Sequence, residues 1–147
     1  MSVSAEAETA EELLPSLVGY HHVDLTVTDV AVSEEWYRRV FGLQRVMVEP
    51  HPDSVGYAVV LTRPGTALFL GLSHHPGNKR ECFRESRTGL DHVSFAVSSR
   101  PELDEWLATL NQLGVPSSGI TVRSEPFDYA LIVVRDPDGI QLEITWS

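Results

Sequence analysis

The stretch GLDHVSFAV, residues 89–97, decides the fold, because it has the apolar pattern of a buried strand with a histidine inside it. A similar stretch, GYHHVDLTV, occupies residues 19–27. His22 in the first stretch and His92 in the second hold the same place, at an offset of 70 residues (92 − 22). An internal repeat of this kind predicts two copies of one structural unit.

Other segments extend the repeat. Glu35-Trp36 matches Glu105-Trp106 at the same offset, and RPGTALFLGL at 63–72 resembles DPDGIQLEIT at 136–145. Helical and alternating apolar spacings then give each unit the order strand, helix, three strands. The sequence therefore predicts an α+β fold of two βαβββ modules that form a curved mixed sheet around a metal-containing cavity.

Local signals mark where the two helices begin and end. Asp29 is suited to cap the first helix, and Gly42 to end it. Pro101 suits the first turn of the second helix, and Gly114 its end. Residues 136–139, DPDG, have the composition of a type I turn between the last two strands.

The chain length of 147 residues fits one domain. Residues 1–17 are predicted to be a flexible acidic tail, and residues 18–147 a single domain. Within that domain we place module 1 at 18–72, a linker at 73–88 and module 2 at 89–147. The linker is long enough for the modules to pair within one chain or across two, and it could fold over the cavity.

Composition excludes several classes of function. The formal net charge of −10 argues against a nucleic-acid partner, which needs a basic face. No apolar run has the length of a membrane span, and the N-terminus lacks the pattern of a secretory signal. A single cysteine, Cys82, rules out an internal disulfide framework. We therefore expect a cytoplasmic protein with no membrane partner.

Strand alternation places four polar side chains on the face opposite the helices: His22, Asp24, His92 and Glu143. A lone strand histidine is usually just hydrogen-bonded, but two at equivalent positions with a carboxylate of matching parity suggest more. A buried carboxylate is costly unless it is paired, and imidazole and carboxylate are good ligands for a divalent cation. The pattern predicts a metal site formed by His22, His92 and Glu143.

The segments HHVDLTV, LDHVSFAV and DPDGIQLEI resemble the metal motifs of the vicinal oxygen chelate superfamily, from residue 18 to the C-terminus. That superfamily includes glyoxalase I, extradiol dioxygenases, fosfomycin-resistance enzymes and bleomycin-binding proteins. The resemblance implies one divalent transition metal, Fe2+, Mn2+, Ni2+ or Zn2+. It also implies a homodimer, with the site built either within one chain or across two.

The sequence departs from some members of that superfamily. Our alignment puts Leu70 where glyoxalase I has a fourth ligand, and leucine cannot bind a metal. It puts Gly65 and Val133 where extradiol dioxygenases have acid–base groups. His74 or His75 could substitute, although both fit surface loop residues better.

The resemblance implies a metal-dependent enzyme that acts on a small substrate with vicinal oxygens, by lyase or isomerase chemistry or by ring-cleaving dioxygenation. Asp24 could act as a base, or it could be a plain hydrogen-bonding group. Candidate substrate contacts are Tyr57, His74 and Tyr129, with Phe127 beside them, although packing is the simpler account of the aromatic residues. The alternative function is non-catalytic binding of a small molecule, as in bleomycin resistance.

Overall fold

Two βαβββ modules follow one another along the chain, as the repeat predicts. The computed structural model describes residues 14–53 and 55–147. Module 1 contains β1 Val23–Thr26, α1 Val30–Phe41, β2 Gln44–Pro50, β3 Tyr57–Thr62 and β4 Phe69–His74. Module 2 contains β5 Val93–Ala96, α2 Arg100–Gln112, β6 Ser117–Arg123, β7 Tyr129–Arg135 and β8 Gln141–Trp146.

Each module has its own open four-stranded mixed sheet. The strand orders are β1-β4-β3-β2 and β5-β8-β7-β6. In each sheet the first strand lies parallel to the last, and the other neighbours are antiparallel. The predicted α+β class and the two-module architecture are therefore confirmed.

The predicted boundaries of α1 are confirmed by its caps. The Asp29 side chain accepts a hydrogen bond from the Val32 backbone N–H at 3.1 Å, which satisfies one of the free donors at the helix start. Gly42 ends the helix with φ at +68°, a conformation that glycine adopts without strain.

The second helix also follows its sequence signals. Pro101 lies in its first turn, and the Ser99 side chain caps it. The chain leaves the helix at Leu113, and Gly114 follows with φ at +67°. At the β7–β8 turn the Gly139 N–H donates to the Asp136 carbonyl at 3.0 Å, as expected for the predicted DPDG turn.

The β7–β8 turn also ties module 2 to module 1. The buried Tyr37 hydroxyl, on α1, donates to the Asp136 carboxylate at 3.0 Å. Asp136 accepts two further bonds, from the backbone N–H groups of Asp138 and Ile140. Thr28 donates its N–H and its hydroxyl to Asp138, at 2.8 and 2.5 Å. The turn therefore accepts three hydrogen bonds from module 1, from side chains and backbone far away in the sequence.

A reciprocal contact joins the other helix to the β3–β4 turn. The Arg63 guanidinium lies 5.4 Å from the ring centroid of Trp106 on α2, which is within cation–π distance. Between the helices, the Phe41 ring packs against Phe95 and Trp106, at centroid distances of 4.9 and 5.5 Å. The modules of one chain therefore pack through their helices.

The sheet faces opposite the helices are left open to solvent. His22, Asp24 and His92 are all exposed, and every residue of β2 is exposed. Most of the predicted tail, residues 1–13, lies outside the described residues. Its remaining part, residues 14–17, is exposed. No helix in residues 14–53 and 55–147 is long and apolar enough to cross a membrane.

We predict that Tyr37→Phe lowers the free energy of unfolding by about 1–3 kcal/mol, because it leaves a buried Asp136 oxygen without its donor. Urea denaturation followed by circular dichroism measures the change. Tyr20→Phe is the matched control, since Tyr20 is fully exposed and its loss of a hydroxyl should cost nothing measurable. A Tyr37→Phe protein as stable as the control would contradict the role of this contact.

Candidate metal centre

Module 2 brings two of the predicted ligands together. His92 comes directly before β5, and Glu143 lies on β8, where it pairs with Ser94. The parallel register places both side chains on the open face, and His92 Nε2 is 3.6 Å from Glu143 Oε2. The prediction that these two residues share a face is confirmed by the register.

Neighbouring side chains fix the orientation of both groups. His92 Nδ1 is 2.7 Å from Asp91 Oδ1, so the ring donates its Nδ1 proton there and turns Nε2 toward Glu143. Gln141 donates to Glu143 Oε1 at 3.3 Å. A metal-binding histidine typically donates its second nitrogen to a carboxylate in this way. Asp91 was not among the predicted site residues, although its position directly before His92 was visible in the sequence.

The two donor atoms fit a common cation. Two ligands that each lie about 2.1 Å from one ion can be up to about 4.2 Å apart, and the observed 3.6 Å is within that limit. A neutral imidazole nitrogen and a carboxylate oxygen are also the donor types that divalent transition metals accept. The chemistry of this pair therefore fits the predicted metal.

The third predicted ligand lies on the other module and does not join this pair within one chain. His22 Nδ1 is 2.9 Å from His21 Nδ1, and the His21 ring stacks on Phe69. Across residues 14–53 and 55–147 of a single chain, no three His, Cys, Asp or Glu side chains are placed to hold one ion. One chain thus presents two separate parts of the predicted ligand set.

Asp24 lies on the open face of module 1, the same face as His22. The Ser73 hydroxyl donates to Asp24 Oδ1 at 2.5 Å, and Ser73 Oγ is also 3.4 Å from His51 Nε2. Ser73 is buried, whereas Asp24 is exposed. The serine therefore holds the carboxylate in place from beneath.

The strand register corrects our alignment of the fourth-ligand position. In module 2 the partner of Ser94 is Glu143, and in module 1 the partner of the equivalent Asp24 is Gly71, not Leu70. Leu70 is buried on the opposite face, in the core. The conclusion that this position cannot bind a metal still holds, because glycine has no side chain.

A family model fits this arrangement over nearly the whole chain. The model of the glyoxalase/bleomycin resistance protein/dioxygenase superfamily matches residues 19–144. The chain belongs to this superfamily. Its similarity to a glyoxylase/bleomycin resistance protein/dioxygenase domain from Frankia sp. EAN1pec agrees, with 31% identity, a TM-score of 0.75 and coverage of 90% of this chain and 99% of that one.

Two more distant structures share the superfamily fold. Lactoylglutathione lyase from Agrobacterium tumefaciens has 22% identity and a TM-score of 0.66, with coverage of 90% of this chain and 96% of that one. A fosfomycin resistance protein from Listeria monocytogenes has 18% identity and a TM-score of 0.63, with coverage of 88% and 93%. No curated protein matches the sequence.

The predicted substrate contacts divide between the two faces of the superfamily fold. Tyr57 pairs with His74 across β3 and β4, on the face that packs on the helix, and their rings lie 5.2 Å apart. Tyr129 lies on β7 with the parity of Val133, which pairs with Glu143. Its ring contacts Phe127 at 5.7 Å. Tyr129 is thus the only one of these three on the open face.

The linker folds against the far end of β1. It borders an open cavity of about 260 Å³, whose lining includes Cys82, Arg87, Thr26 and Thr28. The linker is also anchored to the β7–β8 turn, because the Phe83 N–H donates to the Asp138 carbonyl. It therefore lies beside the part of the open face beyond Asp24, where Thr26 stays exposed.

We predict that the His92 ring of the metal-free protein titrates above its ordinary value. The hydrogen bond to Asp91 and the charge of Glu143 raise the pKa of His92 above 6.5, against a smaller effect of burial. Its contribution to stability is therefore complete below pH 6.5 and is lost as the pH rises through the folded pKa. Asp91→Asn should lower that pKa, as measured by NMR titration of the ring in the presence of a chelator; an unchanged pKa would contradict the contact.

Proposed function

We propose that this protein is a divalent-metal-dependent enzyme of the glyoxalase/dioxygenase type that acts on a small substrate with vicinal oxygens. The observation that carries the proposal is the His92–Glu143 pair, with 3.6 Å between its donor atoms and an orienting hydrogen bond on each residue. A metal-binding histidine typically bonds its second ring nitrogen to a carboxylate, as His92 does to Asp91. Fe2+, Mn2+, Ni2+ and Zn2+ all suit this donor set.

The residues of the open face have distinct tasks in this proposal. A bound cation would act as a Lewis acid on the two substrate oxygens. Asp91 keeps the His92 ring in the tautomer that presents Nε2, and Gln141 keeps the Glu143 carboxylate from rotating. Tyr129 lies further along the same face and would contact the body of the substrate. The open face leaves room for that substrate to approach.

We infer that His22 reaches the pair from a second copy of the chain. Within one chain the helices pack the modules together, which leaves both ligand-bearing faces exposed. Strand β2 also exposes apolar side chains, with Val46 at 53% and Met47 and Val48 each at 48%. A two-fold dimer would cover such surfaces and build two equivalent sites at once.

We predict that the purified protein retains about one transition-metal ion per chain, and that His92→Ala and Glu143→Ala each abolish retention. His22→Ala should do the same. His75→Ala is the matched control, because it removes an exposed imidazole that is not a predicted ligand and should leave the metal content unchanged. The measurement is inductively coupled plasma mass spectrometry of protein prepared without chelator.

Two results would count against the proposed function. A wild-type protein without bound metal that accepts none on titration would remove its basis and would favour the non-catalytic binding function. Loss of metal in His21→Ala but not in His22→Ala would instead show that the wrong histidine had been assigned.

Mixing two variants that each fail to retain metal distinguishes a site shared between two chains from a site within one chain. In a mixed dimer of His22→Ala with Glu143→Ala, one site loses both ligands and the other keeps all of them. Random exchange makes half of the dimers mixed, so about a quarter of the wild-type metal content should return. Metal content that stays at zero after verified subunit exchange would contradict a site built from two chains.

A further inference from the structure

In each module the first and last strands form a parallel pair, and the two modules carry their carboxylate on different strands of that pair. In module 2 the parallel pair Ser94–Glu143 has its acid on the last strand, β8. In module 1 the equivalent pair Asp24–Gly71 has its acid on the first strand, β1. Each open face therefore has one carboxylate at this level of the sheet, and only the strand that supplies it differs.

A shared hydrogen bond supports this equivalence. In module 1 the Ser73 hydroxyl bonds Asp24 at 2.5 Å, and in module 2 the Thr145 hydroxyl bonds Ser94 at 2.6 Å. In both modules the bond runs from the last strand, two residues past the position of Gly71 or Glu143, to the middle of the first strand. The two faces thus have the same framework, with the acid moved across it.

The space above Gly71 explains why only one of the two strands, β1 or β4, can carry a carboxylate at this level. A Cβ atom built at Gly71 would lie 2.4 Å from Asp24 Oδ2 and 2.6 Å from Asp24 Cγ. The Asp24 carboxylate therefore fills the place where a side chain at residue 71 would begin. A ligand on β4 and the observed Asp24 conformation exclude each other.

We propose that Asp24 is the second carboxylate ligand of the metal and takes the place that Gly71 leaves empty. This inference rests on the proposed function. His22 and Asp24 are two residues apart, about 6.6 Å along an extended strand, so both side chains can reach one ion from the same face. Ser73 holds Oδ1, which leaves Oδ2 for the metal.

Charge balance favours the same assignment. A divalent cation bound by two neutral imidazoles and Glu143 alone keeps one net positive charge. With Asp24 as a further ligand the centre is neutral, and a neutral group costs less to enclose than a charged one. Enclosure follows if a second chain covers the open face, as proposed above.

The test is the metal affinity of Asp24→Asn, measured by competition with a chromophoric chelator using Co2+, together with the visible spectrum of the cobalt protein. We expect binding about 100-fold weaker than in the wild type and a changed spectrum, since loss of an outer-shell partner alone already costs 10–100-fold. Ser73→Ala should weaken binding about 10-fold, because the carboxylate loses its anchor. Ser94→Ala removes the matching bond in module 2 and should leave the affinity unchanged.

A double variant moves the acid back to the strand that carries it in module 2. Asp24→Ser with Gly71→Glu should bind Co2+ within about 10-fold of the wild type, whereas Asp24→Ser alone should be as weak as Asp24→Asn. A double variant that binds Co2+ no more tightly than Asp24→Ser would contradict the inference that Asp24 replaces a ligand at residue 71.

The outcomes separate this inference from the proposed function. Wild-type affinity and an unchanged cobalt spectrum in Asp24→Asn, while His92→Ala loses the metal, would overturn the role of Asp24 and leave the metal centre standing. A wild-type protein that binds no Co2+ would overturn both.

Discussion

The contact on which the rest of the structure depends is the buried hydrogen bond from Tyr37 to Asp136. It joins the helix of one module to a turn of the other, across 99 residues of sequence. A buried carboxylate without donors would destabilise the fold, and Asp136 avoids this by accepting three bonds. The acid-rich turn therefore fixes how the modules pack, and with it which sheet faces stay open.

The open faces follow from that packing. Because the modules pack through their helices, the polar side of each sheet points outward, with His92 and Glu143 on one and Asp24 on the other. Module 2 holds its pair ready, with a hydrogen bond to each member. Module 1 has the same framework with a different distribution of acid. The two modules are more alike in their strand framework than in the side chains that it carries.

Much of this could be predicted from the sequence, because it depends on local rules. The caps at Asp29 and Gly42 and the shared face of His92 and Glu143 follow from spacing alone. The partner of Asp24 could not be predicted, because six residues, 63–68, separate β3 from β4, whereas five, 136–140, separate β7 from β8. That extra residue shifts an alignment that begins at the turns. Contacts between chains leave no comparable local pattern, so the sequence could not decide whether His22 joins the pair within one chain or across two.

The β7–β8 hairpin both holds the two modules together and positions Glu143, which limits the substitutions that it can accept. Its turn clasps α1, and Glu143 follows only a few residues later on the strand that leaves the turn. Any replacement that loosens the turn would have two effects: it would weaken the contact between the modules, and it would displace the Glu143 carboxylate. The β3–β4 turn also contacts the other module, through Arg63 and Trp106, but the strand that leaves it carries Gly71, so no acid depends on that contact.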